Sequence, residues 1–522
     1  MKYLNMGEIL AVNAKKYPEK IALKDIRTSR TFPELDIRTN KIANAFLDMG
    51  VEEGDKIAVL LNNSVEFMEI YMAAAKMGAI IVPVNFRLID KEIRYIVANS
   101  DATAFITQSR EPSYIDTIEA IRSDLVKIPD NRYIALGLET PTGYSNFEHL
   151  VTTASESSPD IKVENEDTWI LLYTSGTTGI PKGVVRSHRS YIAFYLINEV
   201  EFGFNHTDYG MILMPLAHVN STFYSFVFTY IGAGCYVHRE YSFNPEEVLA
   251  LIDKEKITFT SLIPTHYAFI FDLPEETKKK YDMSSMRTLL CSSAPARKAL
   301  KLQIMDFFPN ARLFEAYGST EAGLVTILHP EEQLNKLGSI GRECIGTDII
   351  KLLDENGNEV PVGEVGELYS KGPMMFDEYY KLPEKTKQSF KGDYFTARDM
   401  VRMDKDGFYY IVDRKDNMII SGGEHVYPSE VEEIICQHPA VFDVAIIGVP
   451  DKKWGEAVKA VVILKDNMTA TDSEIIEHCR AKMASFKKPK TVDFISKEEM
   501  PRTSTGKILH RILRERYKEE ME

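Results

Sequence analysis

The chain has 522 residues, with 62 Lys and Arg set against 77 Asp and Glu, for a formal charge of −15. At 44% hydrophobic and 27% charged residues it has the composition of an ordinary globular enzyme, which excludes disordered and fibrous classes. The acidic balance argues against a nucleic-acid binder, whose phosphate contacts need a basic surface. It leaves room for an anionic small ligand held by a locally positive site.

At about 150 residues per domain the length predicts three or four folding units. In chain order, the first residues carry Asn5 and Glu8 where an apolar signal core would lie, so no secretory signal is expected. Residues 56–61 read as a buried strand, 65–76 as a helix closed by Gly78, and 79–83 as the next strand. The polar run 152–159 reads as a loop or linker. The stretch from Met211 to Val237 has no charged residue and is long enough to span a bilayer. Pro215, His218, Asn220, Gly232 and Gly234 interrupt it, so a buried strand and helix are expected there instead. Asn244 caps and Pro245 opens a helix with Val248, Leu249 and Ile252 on one face, and 257–263 returns as a strand. This alternation predicts a mainly parallel sheet with helices on its faces. Between Gly338 and Asp413, turn signals such as Asp354-Glu355-Asn356-Gly357 predict a β-rich subdomain. Beyond the break Ser421-Gly422-Gly423, a helix begins near Pro428 and ends before Pro439. The five scattered cysteines, Cys235, Cys291, Cys344, Cys436 and Cys479, include no CxxC pair and read as reduced thiols of a cytoplasmic protein.

The sharpest motif follows the strand-like residues 169–172: Tyr173-Thr174-Ser175-Gly176-Thr177-Thr178-Gly179-Ile180-Pro181-Lys182-Gly183. Glycines let a backbone fold closely around a ligand, hydroxyls donate to phosphate oxygens, and a lysine adds charge. It lacks the GxxxxGK[ST] pattern of a Walker loop. Taken alone, a flexible surface loop has the same composition.

With this motif the chain resembles the acyl-adenylate-forming superfamily, and within it the AMP-forming acyl-CoA synthetases. Four further blocks stand in that family's order: Ser292-Ser293-Ala294-Pro295, Tyr317-Gly318-Ser319-Thr320-Glu321, Asp413-Arg414 through Gly423-Glu424, and Pro501-Arg502 through Lys507-Ile508. The resemblance implies an α/β fold: a large N-terminal AMP-binding domain of mainly parallel sheets with flanking helices and a β-rich subdomain, residues 1–415, and a small mobile α+β lid, residues 416–522. It implies ATP, CoA and Mg²⁺ as cosubstrates and cofactor, with a small-molecule carboxylic acid as partner.

By the same resemblance, Glu321 holds Mg²⁺ on the ATP phosphates and Thr320 donates to phosphate oxygen. Thr174 through Gly179 and Lys182 line the phosphates. Glu315, Ala316, Tyr317 and Gly318, with Ser293, Ala294 and Pro295, surround the adenine, and Asp399 and Arg414 serve the ribose. Lys507 stabilises the charge that develops when the acid attacks the α-phosphate. Because it lies on the lid, motion between the half-reactions is implied, with Asp416 at the hinge position. Ser421, Gly422, Gly423, Glu424 and Trp454 match the pantetheine tunnel, and Lys452, Lys453, Lys487 and Lys488 are candidates for the CoA phosphates. His218 matches the mouth of the acyl pocket, with Phe194, Tyr195, Phe223, Tyr224, Thr265 and His266 as possible walls. Two departures stand out: Ala397-Arg398-Asp399 where the family usually has Thr-Gly-Asp, and Ala217 where an aromatic usually precedes the histidine. Arg398 either adds a cation near the nucleotide or points to solvent.

The reading is therefore an acid:CoA ligase, leaning toward a small or ring-bearing acid; a homodimer is compatible with it. The alternatives are an adenylation enzyme loading a separate carrier protein, a luciferase-like oxygenase, and a catalytically silent nucleotide-binding regulator.

Overall fold

The computed structural model describes residues 4–174, 180–239, 243–292, 296–422, 424–451, 453–480, 482–502 and 508–519, with backbone alone for 518 and 519. The chain packs as two compact units: residues 1–350 with 370–395, and residues 351–369 with 396–522.

The first unit is built on two large sheets. In the nine-stranded sheet, the strands Arg312–Ser319, Thr288–Cys291, Phe259–Leu262, Tyr209–Ile212, Gly234–Val237 and Ile21–Lys24 run parallel in that spatial order, with antiparallel strands at both edges. In the eight-stranded sheet a parallel set from Thr168–Thr174 to Ser145–Asn146 is extended by the antiparallel strands Lys182–Ser187 and Glu378–Tyr379. Parallel strands need crossover connections, and the helices predicted between them supply these.

The helix Val65–Met77 shows how deep the core runs. All thirteen residues are buried. Ser64 caps its start, accepting from the Phe67 N–H, and Gly78 ends it at φ +70, a left-handed position that glycine occupies without Cβ strain. A helix buried on every side must pair its charges. Glu69 meets Arg30 at 2.9 Å and Arg38 at 3.1 Å, and Lys76 meets Asp36 at 2.5 Å.

The charge-free stretch from Met211 to Val237 folds as expected: the ends of two strands around the buried helix Val219–Tyr230. No described helix is long and apolar enough to cross a membrane. Asn244 accepts from the N–H groups of Glu246 and Glu247 and so caps the Pro245–Glu255 helix. Cys235, Cys291, Cys344 and Cys479 are buried thiols, none in a disulfide.

The second unit combines an antiparallel four-stranded sheet, Lys351–Leu353, Val365–Tyr369, Asp399–Met403 and Tyr409–Arg414, with a five-stranded sheet centred on the long hairpin Val441–Asp451 and Gly455–Leu464. The helix Pro428–Ile435 packs Val431 and Ile435 into its core.

Candidate active site

Sequence-singled residues of the first unit collect at the carboxyl ends of its parallel strands, where open α/β sheets form ligand crevices. Thr174 ends the Thr168–Thr174 strand and faces Lys182 across the antiparallel register. Ser175, Gly176, Thr177, Thr178 and Gly179 lie outside the described residues. The Lys182 ammonium stands 4.5 Å from the centre of the Tyr379 ring.

The strand Arg312–Ser319 carries Glu315, Ala316, Tyr317 and Gly318, and its register shifts between Tyr317 and Gly318. A Cβ on Gly318 would sit 2.0 Å from the Gly323 carbonyl oxygen, so only glycine fits this bulge. Thr320 and Glu321 follow in the turn. Thr320 is buried, and its carbonyl accepts from Arg186 Nη1 at 2.6 Å. The Glu321 carbonyl accepts from the Phe376 N–H at 2.7 Å, and its Oε1 accepts from the Tyr379 hydroxyl at 2.8 Å. One carboxylate oxygen is thus fixed by a neutral donor, and Oε2 has no partner among the described residues.

This donor set suits Mg²⁺, which is commonly held by one or two carboxylates together with substrate phosphates. The described residues contain no cluster of three or more His, Cys, Asp or Glu side chains that would form an all-protein cage.

Glu315 is committed elsewhere than expected. Its carboxylate accepts from the Ala296 N–H at 2.8 Å and from the Lys301 ammonium, with both side chains almost wholly buried. It braces the end of the 292–296 segment, of which Ser293, Ala294 and Pro295 lie outside the described residues. Tyr317 and Ala316 remain partly exposed.

His218 begins the Val219–Tyr230 helix, and its Nδ1 accepts from the Asn220 N–H at 3.3 Å. The Asn220 amide reaches Ser261 at 3.0 Å and Ser292 at 3.1 Å, so the start of this helix is tied to two strand ends. Phe194 stacks on Phe223 at 3.9 Å, and Tyr224 meets Phe194 edge-on at 5.5 Å. All three, with Tyr195, are buried. His266 stacks on Phe243 at 4.1 Å, with burial pushing its pKa down to about 4, while Thr265 is exposed.

In the second unit Asp399 and Arg414 are register partners on adjacent strands, and the Arg414 Nε lies 3.1 Å from the Asp399 carboxylate. Arg398 adopts φ +66, the left-handed region that a glycine would occupy at less cost. Its guanidinium neither points free into solvent nor pairs with Asp399: it grips the Asp416 carboxylate at 2.9 and 2.8 Å.

Ser421, Gly422, Glu424 and Trp454 come together. Ser421 pairs with both Glu424 and Gly455, and the Gly422 N–H donates to the Trp454 carbonyl at 2.7 Å. Gly422 has φ +62, and a Cβ there would lie 2.7 Å from the Trp454 ring. Lys453 and Lys490 sit 4.8 and 5.4 Å from that ring. Lys487 is instead paired with Glu430. Gly423, Lys452 and Lys507 lie outside the described residues, but Arg502 and Ile508 bridge the two sides of the 503–507 segment.

Sequence reasoning missed Arg186, Tyr379, Lys301 and Lys490. Only Lys490 carried a local signal, as one more lysine in the basic run after Phe486.

A family model described as AMP-binding enzyme matches residues 10–380, and one described as AMP-binding enzyme C-terminal domain matches residues 430–507. A feruloyl-CoA synthase of an Amycolatopsis species is 32% identical over 99% of this chain and 100% of its own length. A long-chain-fatty-acid–CoA ligase of Mycobacterium tuberculosis is 32% identical over 98% of each chain. The solved structure of an anthranilate CoA ligase in complex with anthranoyl-AMP superposes with a TM-score of 0.88 at 29% identity, covering 100% of this chain and 98% of that one. The chain belongs to the AMP-binding enzyme family, as an AMP-forming carboxylic acid:CoA ligase that uses ATP and CoA.

Proposed function

We propose that the ligase activates a small or ring-bearing carboxylic acid, with the residues above in the following roles. Thr174, Thr320 and Lys182 contact the ATP phosphates. Glu321, steadied by Tyr379, holds Mg²⁺, which when bound neutralises phosphate charge. Tyr317 and Ala316 lie along the adenine, Glu315 acts through the Ala296 N–H, and Asp399 accepts from the ribose with Arg414 beside it. A carboxylate is a poor electrophile; joining its oxygen to the α-phosphate, with the α–β bond broken and pyrophosphate released, makes AMP the leaving group when the CoA thiol attacks the acyl carbon. Lys507, delivered by a lid of residues 416–522, stabilises the charge that builds during the first step.

Ser421, Gly422 and Glu424 give the pantetheine arm a path of small and polar groups beside Trp454, and Lys453 and Lys490 add cations for phosphate. His218 orients the acid at its entry. The observation that carries the whole is the convergence of Thr320, Glu321 and Tyr379 at one turn beyond a parallel strand.

The lean in substrate rests on Phe223 and Tyr224, one turn along the helix from Asn220, with the ring of Phe194 packed on them from the His188–Phe202 helix. They favour a compact or flat acyl group over a long chain. The same reading extends to a cytoplasmic setting, which the buried thiols support, and to a homodimer, which sedimentation velocity would test.

Purified protein incubated with ATP, Mg²⁺, CoA and a panel of benzoate-like, alicyclic and straight-chain acids should release AMP most rapidly with the ring-bearing members. Preference for chains of twelve or more carbons overturns the substrate reading, and no AMP with any acid overturns the assignment of roles. Lys507→Ala should abolish acyl-AMP formation and leave thiolysis of supplied acyl-AMP nearly intact.

A further inference from the structure

Arg186 lies on the Lys182–Ser187 strand and is fully buried. Its Nη1 donates to the Thr320 carbonyl at 2.6 Å and its Nη2 to the Met374 carbonyl at 2.5 Å. The guanidinium carbon lies 5.0 Å from the Tyr191 ring and 4.9 Å from the Phe223 ring, while Nε has no hydrogen-bond partner among the described residues. Among the described residues no carboxylate stands within ion-pair distance of it; Asp377 and Glu321 act on it only through space.

A buried cation without a contact counter-ion is costly to fold, and an apolar side chain of the same length would be cheaper. What the charge secures is visible in its two acceptors. Thr320 immediately precedes Glu321, and Met374 stands two residues before Phe376, whose N–H donates to the Glu321 carbonyl. The same segment carries Tyr379, the donor to the Glu321 carboxylate. Arg186 therefore joins the two backbone stretches that jointly aim Glu321, through bonds that need a forked, permanently charged donor.

We propose that Arg186 is a positioning residue for metal-dependent nucleotide binding: it fixes the Thr320–Glu321 turn against the 374–379 segment, so that the hydroxyl and carboxylate are pre-set for the metal and phosphates. The inference rests on the proposed role of Glu321. It acts through the turn; the guanidinium itself touches no substrate.

The test uses ATP as probe, titrated into the full-length protein with Mg²⁺ and again with EDTA, and AMP titrated without metal. Wild-type protein should bind ATP more tightly with Mg²⁺. Glu321→Ala should lose that enhancement. Arg186→Met should lose about tenfold of it, a fraction of the roughly hundredfold that misplacement by an ångström can cost, while AMP affinity stays unchanged. Arg186→Lys, which keeps the charge but not the fork, should fall between. If Arg186→Met does not fold, Arg186→Lys carries the test, with a severalfold loss of enhancement expected. An enhancement equal to wild type in the Arg186 variants overturns the proposal. A parallel fall in AMP affinity overturns it in favour of a packing role. Retained enhancement in Glu321→Ala overturns the site reading beneath it.

Discussion

Lys301→Met probes how the Arg312–Ser319 strand is braced against the helix that follows Ala296. The Lys301 ammonium donates to the Glu315 carboxylate and, at 3.4 Å, to the Gln333 carbonyl, with side-chain exposures of 0% for Lys301 and 7% for Glu315. Burial pushes the Glu315 carboxyl up toward its neutral form, and Lys301 opposes that push. Methionine keeps the volume and removes the charge, leaving a buried carboxylate whose remaining donor among the described residues is the Ala296 N–H. Breaking one side of such a pair costs about 3–5 kcal/mol. An unfolding entropy near 2.1 cal/mol/K per residue, over a unit of about 375 residues, gives about 0.8 kcal/mol/K. The expected fall in the melting temperature of that unit is therefore about 4–6 °C. Differential scanning calorimetry at one scan rate and pH 7 reads it directly. The double variant Lys301→Met with Glu315→Leu removes both charges and should recover most of the loss. A single variant within about 1 °C of wild type, or a double variant no better than the single, would refute the reasoning that the stranded carboxylate sets the cost.

Three further outcomes are expected. Tyr379→Phe removes a hydrogen bond to a charged group, worth about 1.5–3 kcal/mol, and should weaken MgATP binding about tenfold or more; unaltered affinity in a calorimetric titration would separate Tyr379 from the site. Gly422→Ala forces a Cβ to within 2.7 Å of the Trp454 ring at a left-handed backbone position, so KM for CoA should rise while ATP–pyrophosphate exchange holds; an unchanged KM for CoA counts against the tunnel assignment. Burial opposes ionisation of Glu66, but the Arg110 hydrogen bond and charge, with Arg239, bring its pKa down to about 2. A carboxyl depressed in the folded state contributes stability above its ordinary value of 4.5 and loses it as pH falls toward about 2, here about 3 kcal/mol in all. Glu66→Gln should therefore be less stable than wild type at pH 6, with the gap narrowing below about pH 4.5; a gap constant with pH goes against the linkage.

Local chemistry was readable wherever one residue's role is set by its near neighbours. Asn244 with Pro245 at one helix start, and Gly78 at the end of the buried helix, act within a few positions. Asp399 and Arg414, which the four-stranded sheet makes register partners, were legible only through the family resemblance. What escaped the sequence is what acts at long range. Arg186 reads as the polar end of a strand after Val184 and Val185, and nothing near it in the chain names Thr320 or Met374 as its acceptors. Tyr379 sits in an ordinary aromatic run, and its importance comes from the pairing of Glu378 and Tyr379 with Val185 and Val184. Arg398 was legible as a departure from pattern, but its grip on Asp416 depends on a left-handed backbone that residue type alone does not disclose.

The place of residues 370–395 in the chain also has a consequence for the order in which the protein is made. This segment is interposed between the two parts of the second unit, yet it belongs to the first and lays Asp377 against Ser187, 190 positions upstream. As the nascent chain emerges, every strand of the nine-stranded sheet is available before Tyr379 leaves the ribosome. The strand Val365–Tyr369 meanwhile waits for Asp399–Met403 to pair with. Loop closures over such spans come late in folding. Glu321 thus acquires its hydroxyl donor among the last contacts that complete the first unit, and a chain truncated or stalled before Tyr379 holds the Thr320–Glu321 turn without the segment that steadies it.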